Sequence, residues 1–158
     1  MTRTYDITLA DLQEQHAAVV RGHVTTDEIA EFLGGAFGET AGAASAQGLA
    51  FTGAPFARYR FTDDGRFAVE AGFPVSGPVA PAGRVEAATL PGGTTARTMH
   101  VGAYDAVAAA YEAMQTYLTE NGYEVTGPPW ECYLDDPEVA NPRTEVFMPC
   151  RPVRPRED

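Results

Sequence analysis

Glu131 is a carboxylate set inside an aromatic strand. In "TGPPWECYL", residues 126–134, Trp130 and Cys132 flank it and Tyr133 follows. A carboxylate among aromatic rings has two chemistries open to it. Ionised, it anchors a cation, whose attraction to an aromatic face adds roughly 0.5–2 kcal/mol. Held protonated by burial, it serves as a general acid or base near neutral pH. Side chains alternate across a strand, so Glu131 and Tyr133 point one way while Trp130 and Cys132 point the other. Alternation alone is equally compatible with a solvated sheet face for Glu131. Cys132, aimed away from Glu131, reads as a core thiol rather than a nucleophile. Elsewhere no HExxH, GxSxG elbow or phosphate-loop pattern occurs, and no His, Cys and Asp cluster has metal-ligand spacing. No cofactor is expected.

The elements that must position Glu131 occur twice. "TGAPFARYR", residues 52–60, aligns with the first stretch: Pro55 with Pro129, Phe56 with Trp130, Tyr59 with Tyr133, and Ala57 with Glu131. "VEAGFPV" from Val69 parallels "TEVFMPC" from Thr144, matching Glu70 with Glu145. Upstream, "AAVVRGHVTTDEIAEF" parallels "TTARTMHVGAYDAVAA", matching His23 with His100 at two helix entries, which points to a shared structural role. A long period repeated twice implies a duplicated supersecondary unit rather than a solenoid. The expected organisation is one domain over residues 1–158. Repeat one covers about 5–75, a Pro/Gly-rich linker 76–83, and repeat two 84–152.

Each repeat reads as an extended segment, a helix and a hairpin. The first extended segment is interrupted near Leu12, the second at "LPGG". Helix one starts near Thr25, whose spacing to Glu28 makes a capping box, and Ile29, Phe32, Leu33, Ala36 and Phe37 share one face. Gly34 and Gly35 weaken it and leave its end uncertain. Helix two spans about 104–121 with a stripe of Val107, Ala110, Tyr111, Met114 and Leu118, and "NG" stops it. Hairpin one pairs 56–61 with 67–73. Hairpin two pairs 130–134 with 144–148, in a register that sets Leu134 near Thr144, Cys132 near Val146 and Phe147 opposite Glu131. A cleft between the repeats would then be lined by Glu131, Tyr133, Phe147, Tyr59 and Tyr104, with Trp130 adjoining. That is an aromatic pocket with one acid, the usual form of a small-molecule site.

Composition sets limits. The net charge is −11, from 22 acids against 11 bases, all of them arginine. This excludes the basic footprint of direct nucleic-acid binding and favours encounter with cations. No apolar run approaches the roughly 20 residues of a membrane span, so no membrane partner is expected. The N-terminus has no apolar signal region, and two cysteines, too far apart in the expected hairpin to bridge, suit a reducing cytoplasm.

The second repeat resembles the GyrI-like small-molecule-binding domain, the effector-binding domain of many AraC-type and MerR-type bacterial regulators. "GAYDAV" at a helix start, "AAYEAM" one turn on, "ECYLDDP" and the closing strand ending at Pro149 carry the resemblance. It implies an α+β fold of tandem βαββ units (SHS2-like), a curved antiparallel sheet and a central pocket whose family acid maps onto Glu131. It further implies a multidrug-type binder of bulky, lipophilic, aromatic or cationic compounds. Some stand-alone relatives are hydrolases that open cyclopropane rings of genotoxic natural products, with the acid and a nearby aromatic, here Glu131 and Tyr133, as catalytic groups. Others antagonise DNA gyrase inhibitors or gyrase itself. An acidic mimic of nucleic acid would need its acids on one face, and here they are scattered along the chain. The resemblance starts near Tyr5, which leaves no helix-turn-helix ahead of it, so a stand-alone form is expected.

Overall fold

Alternating apolar residues make the strands, and helical apolar stripes pack against them. The computed structural model describes residues 5–102, 107–135 and 139–153. The elements run β1 (Thr8–Leu12), β2 (Gln15–Val24), α1 (Ile29–Ala46), β3 (Phe56–Phe61), β4 (Phe67–Val75), β5 (Val85–Leu90), β6 (Gly93–Val101), α2 (Ala108–Glu120), β7 (Tyr123–Val125), β8 (Trp130–Tyr133) and β9 (Arg143–Pro152). The fold is α+β, with all strand pairs antiparallel. The strand order is β1-β6-β9-β8-β3-β4-β2-β5, with β7 added beside β9. Exchanging β1 with β5, β6 with β2, β9 with β4 and β8 with β3 leaves this order unchanged. The sheet thus has a topological twofold between β8 and β3, and each outermost strand pairs with the other half of the chain.

Both helices cover one face. Helix α1 lies over Ala18, Val20, Val69 and Ala71, and α2 over Ala96, Val146, Met148 and Cys150. Thr25 and Glu28 do form the capping box, with the Thr25 N–H donating to Glu28 Oε1 at 2.8 Å, followed by a 3₁₀ turn that leads into α1. The glycines do not break α1. It runs 18 residues because Ala36, Thr40 and Ala44 bury against the sheet, and that packing outweighs the propensity loss. Gly22 makes the docking possible: a Cβ there would sit 2.4 Å from the Phe32 ring.

Among the described residues the opposite face has no helix. Its buried core, Ala17, Val19, Phe56, Leu90, Trp130 and Phe147, comes entirely from strands. Curvature of the sheet lets its own strands help to cover them.

Two expected registers are corrected. Tyr133, not Leu134, pairs with Thr144, so Glu131 lies across from Val146, Cys132 from Glu145 and Trp130 from Phe147. The slip has a local cause. The Leu134 N–H donates to the Arg143 carbonyl, while Asp135 accepts from the Arg143 N–H at 3.0 Å and from Nε at 2.8 Å, which closes the hairpin one residue earlier. The second correction concerns the histidines. His23 pairs with Ala68 and is exposed, whereas His100 pairs with Thr144, is fully buried and meets the Tyr5 hydroxyl at 2.9 Å. The β2–β4 and β6–β9 registers equate Gly22, not His23, with His100, so the two histidines face opposite sides.

Candidate functional site

At the twofold, β3 and β8 pair with Ala57 directly across from Glu131. Two residues along, Tyr59 and Tyr133 project from the same face, and their hydroxyls meet at 2.7 Å. The displacement along the chain that takes Gly22 to His100 also takes Ile29 to Val107 and Leu33 to Tyr111. These four helix residues, two from α1 and two from the α2 end, face each other across a cleft of about 780 Å³. The floor is Tyr59, Glu131 and Tyr133; Phe61, Phe67, Gln115 and Pro129 complete the walls.

Glu131 is 7% exposed. Its Oε2 accepts a hydrogen bond from the Tyr111 hydroxyl at 2.5 Å, and its Oε1 accepts one from Tyr133 at 3.2 Å. If Tyr133 gives its one hydroxyl hydrogen to Glu131, the Tyr59–Tyr133 bond must be donated by Tyr59. The result is a directed chain, Tyr59 to Tyr133 to Glu131, met from the other side by Tyr111. Burial raises the Glu131 pKa, and the two phenol hydrogen bonds pull it back only in part. All three phenols are pushed upward, first by burial and next by the Glu131 charge, so they stay protonated donors. The Phe37 ring packs 6.1 Å from that of Tyr133, and Phe67 meets Tyr59 edge-on at 6.2 Å, which holds both phenols in place.

Of the residues proposed from sequence, the structure brings Glu131, Tyr133 and Tyr59 together. Trp130 and Phe147 are placed elsewhere. The corrected register stacks their rings 5.2 Å apart on the helix-free face, where both are buried. Tyr104 lies outside the described residues. Cys132 also faces away from Glu131, and burial pushes its thiol up to about 12, so it is no nucleophile at neutral pH. Both cysteines are free. Among the described residues no group of His, Cys, Asp and Glu could hold a metal ion, and no helix is long and apolar enough to cross a membrane.

Sequence reasoning missed Tyr111 as a site residue, because it fits the apolar stripe of α2. The available signal was its hydroxyl: a phenol on a buried stripe needs a polar partner.

No curated protein is similar enough to this chain to count as a match. Among solved structures, the C-terminal domain of EcmrR superposes with a TM-score of 0.81 at 22% identity, covering 96% of this chain and 100% of that one. Against the EcmrR chain in its DNA complex, this chain spans 58% of the length. A hydrolase from Listeria innocua gives a TM-score of 0.65 at 15% identity, covering 92% of this chain and 91% of that one. SAV2435, solved with tetraphenylphosphonium bound, gives 0.64 at 18% identity, covering 92% and 94%. At these identities the likeness is one of fold. The family model for the GyrI-like small molecule binding domain matches residues 5–151, and the chain belongs to that family.

Proposed function

We propose that the chain binds bulky, lipophilic aromatic cations in the cleft between α1 and α2, with Glu131 as the charge anchor. One observation carries this: Glu131 is the only charged group among the described residues that line a mainly apolar and aromatic cavity, whose other non-aromatic polar residues are Thr26 and Gln115. An ionised Glu131 has both oxygens occupied once by phenols and keeps a further lone pair on each for a ligand. Tyr59, Phe61, Phe67 and Tyr111 offer ring faces, and flat walls of this kind accept many shapes. The cost of ionising a buried carboxylate falls when a cation sits beside it, so affinity and ionisation rise together. Direct nucleic-acid binding is no part of this function.

Tetraphenylphosphonium is a suitable probe, with triphenylphosphine oxide as a neutral analogue, both read by calorimetry. The expected result is saturable binding of the cation, weaker binding of the neutral compound, and about a tenfold loss in Glu131→Gln, or near 1.4 kcal/mol. Equal affinity for the two probes would remove Glu131 as a charge anchor.

The raised Glu131 pKa supports a second function on the same groups. A protonated Glu131 is a general acid held by Tyr133. In hydrolysis of an electrophilic cyclopropane, water would add its hydroxyl to one ring carbon as the ring bond breaks. Glu131 would protonate the carbon that takes the electron pair and recover a proton from the water. Product analysis after incubation tests this, and turnover no faster than in Glu131→Gln counts against it.

A further inference from the structure

The helix-free face carries a second cavity, of about 440 Å³, in the first half of the sheet. Arg21, Arg58, Arg60 and Glu70 form its charged walls, and Pro128 closes one side. The β2–β4–β3 register explains the grouping, since Glu70 lies across from both Arg21 and Arg58. Arg21 Nε donates to Glu70 Oε2 at 2.9 Å, and Arg58 Nε donates to Oε1 at 2.8 Å. One carboxylate thus holds two guanidiniums side by side. Arg21 also reaches Glu86. Arg60, two residues beyond Arg58 on the same face, makes no ion pair among the described residues.

Three of the chain's eleven basic residues therefore wall one cavity in a protein of net charge −11, against Glu70 in the wall and Glu86 beside Arg21, which leaves Arg60 as the cation in excess. Gathering like charges opposes the general charge balance unless something anionic offsets it. Arginine forks fit planar oxyanions and bind them bidentately. The volume exceeds what a single inorganic anion needs and lies within the range of organic-ligand pockets, roughly 300–1,000 Å³.

We propose that this cavity is a second ligand site, for an organic oxyanion: a carboxylate or phosphate ester whose charged end meets Arg60 and Arg58 and whose body lies along Pro128. It adjoins the aromatic cleft: Tyr59 lines both cavities, while Pro128 lines one and Pro129 the other. The oxyanion site stands independently of cation binding.

Trp130 is the only tryptophan and lies directly across β3–β8 from Arg58, on the arginine face. Its emission and calorimetry together read a titration with phenyl phosphate, benzoate and inorganic phosphate at constant ionic strength, pH 7.5. Expected is saturable binding of phenyl phosphate or benzoate, weaker binding of inorganic phosphate, and at least a tenfold loss in Arg60→Gln. That variant breaks no ion pair, so its unfolding midpoint should match wild type. A response to phenyl phosphate alone assigns the phosphate ester class, and to benzoate alone the carboxylate class. The site is overturned if none of the three probes binds saturably, or if Arg60→Gln binds as wild type does. It is equally overturned if the loss follows Glu131→Gln instead, which would put the probe in the cleft. Retained tetraphenylphosphonium binding in Arg60→Gln would separate this outcome from any failure of the cation site.

Discussion

The two halves of the sheet share one strand plan and differ at the residues nearest the twofold. On the helix face, the second half contributes Glu131 and Tyr111 where the first has Ala57 and Leu33, while Tyr133 and Tyr59 match. On the other face the difference reverses. The first half sets Arg21, Glu70 and Arg58 in one row; the corresponding row of the second half is Met99, Glu145 and Cys132. Symmetry itself forces part of this. A residue on the axis of an antiparallel pair lies opposite its own counterpart, about 5 Å away between Cβ atoms, where like charges repel. One carboxylate with a methyl opposite is tolerable; two ionised carboxylates repel, and one of them must take up a proton. A shared scaffold thus favours an acid on one side of its axis.

Ala57→Glu should have the largest effect. It buries a second, unpaired charge against the first and should cost about 3 kcal/mol or more at neutral pH, by urea unfolding. Moving the acid across the axis, with Ala57→Glu and Glu131→Ala in one chain, should recover most of that loss. No recovery would mean that Tyr111, not the axis, decides where the acid can stand.

Gly22→Ala tests the position that His100 fills in the other half. The new methyl must displace the Phe32 ring, at a cost of about 1–3 kcal/mol in the same assay.

Glu131 also sets a pH dependence. Its folded pKa lies above the ordinary 4.5, so folding favours its neutral form. That stabilisation is complete below about 4.5 and fades as pH rises through the folded value. Glu131→Gln, always neutral, should therefore gain stability over wild type as pH rises above 4.5 and match it below. Tetraphenylphosphonium affinity should run the other way in wild type, rising through the same window, and stay flat in the variant. Tyr111→Phe should move the window upward, because its hydrogen bond lowers the Glu131 pKa.

Tyr59→Phe should have the smallest effect, about 0.5–1.5 kcal/mol, since Tyr59 reaches Glu131 only through Tyr133 by a neutral hydrogen bond. A loss as large as that of Tyr111→Phe would mean that the phenol chain acts as one unit.

Glu131 and Tyr133 were legible as one group because the strand period of two puts them on one face whatever the partner, and the internal repeat tied Tyr59 to them as the counterpart of Tyr133. The helical stripes were legible for the same reason, and so was the break at "LPGG". Trp130 adjoins Glu131 in the chain, but alternation alone already turned it to the other face; Phe147 was misplaced because register between strands is not periodic. It was decided by the Asp135–Arg143 closure, and a shift of one residue sends a side chain to the other face. Matching His23 with His100 failed by the same single step. Tyr111 was hidden because a helix stripe shows which side is buried but not what it is buried against. The arginine cavity was not legible at all, since Arg21 and Arg58 meet only through β4, between strands far apart in the chain. Local periodicity, carried by bond geometry, thus determined from sequence alone which residues share a face. Only the tertiary structure decided which faces meet and in what register, because those depend on long-range strand pairing and on one loop's hydrogen bonds.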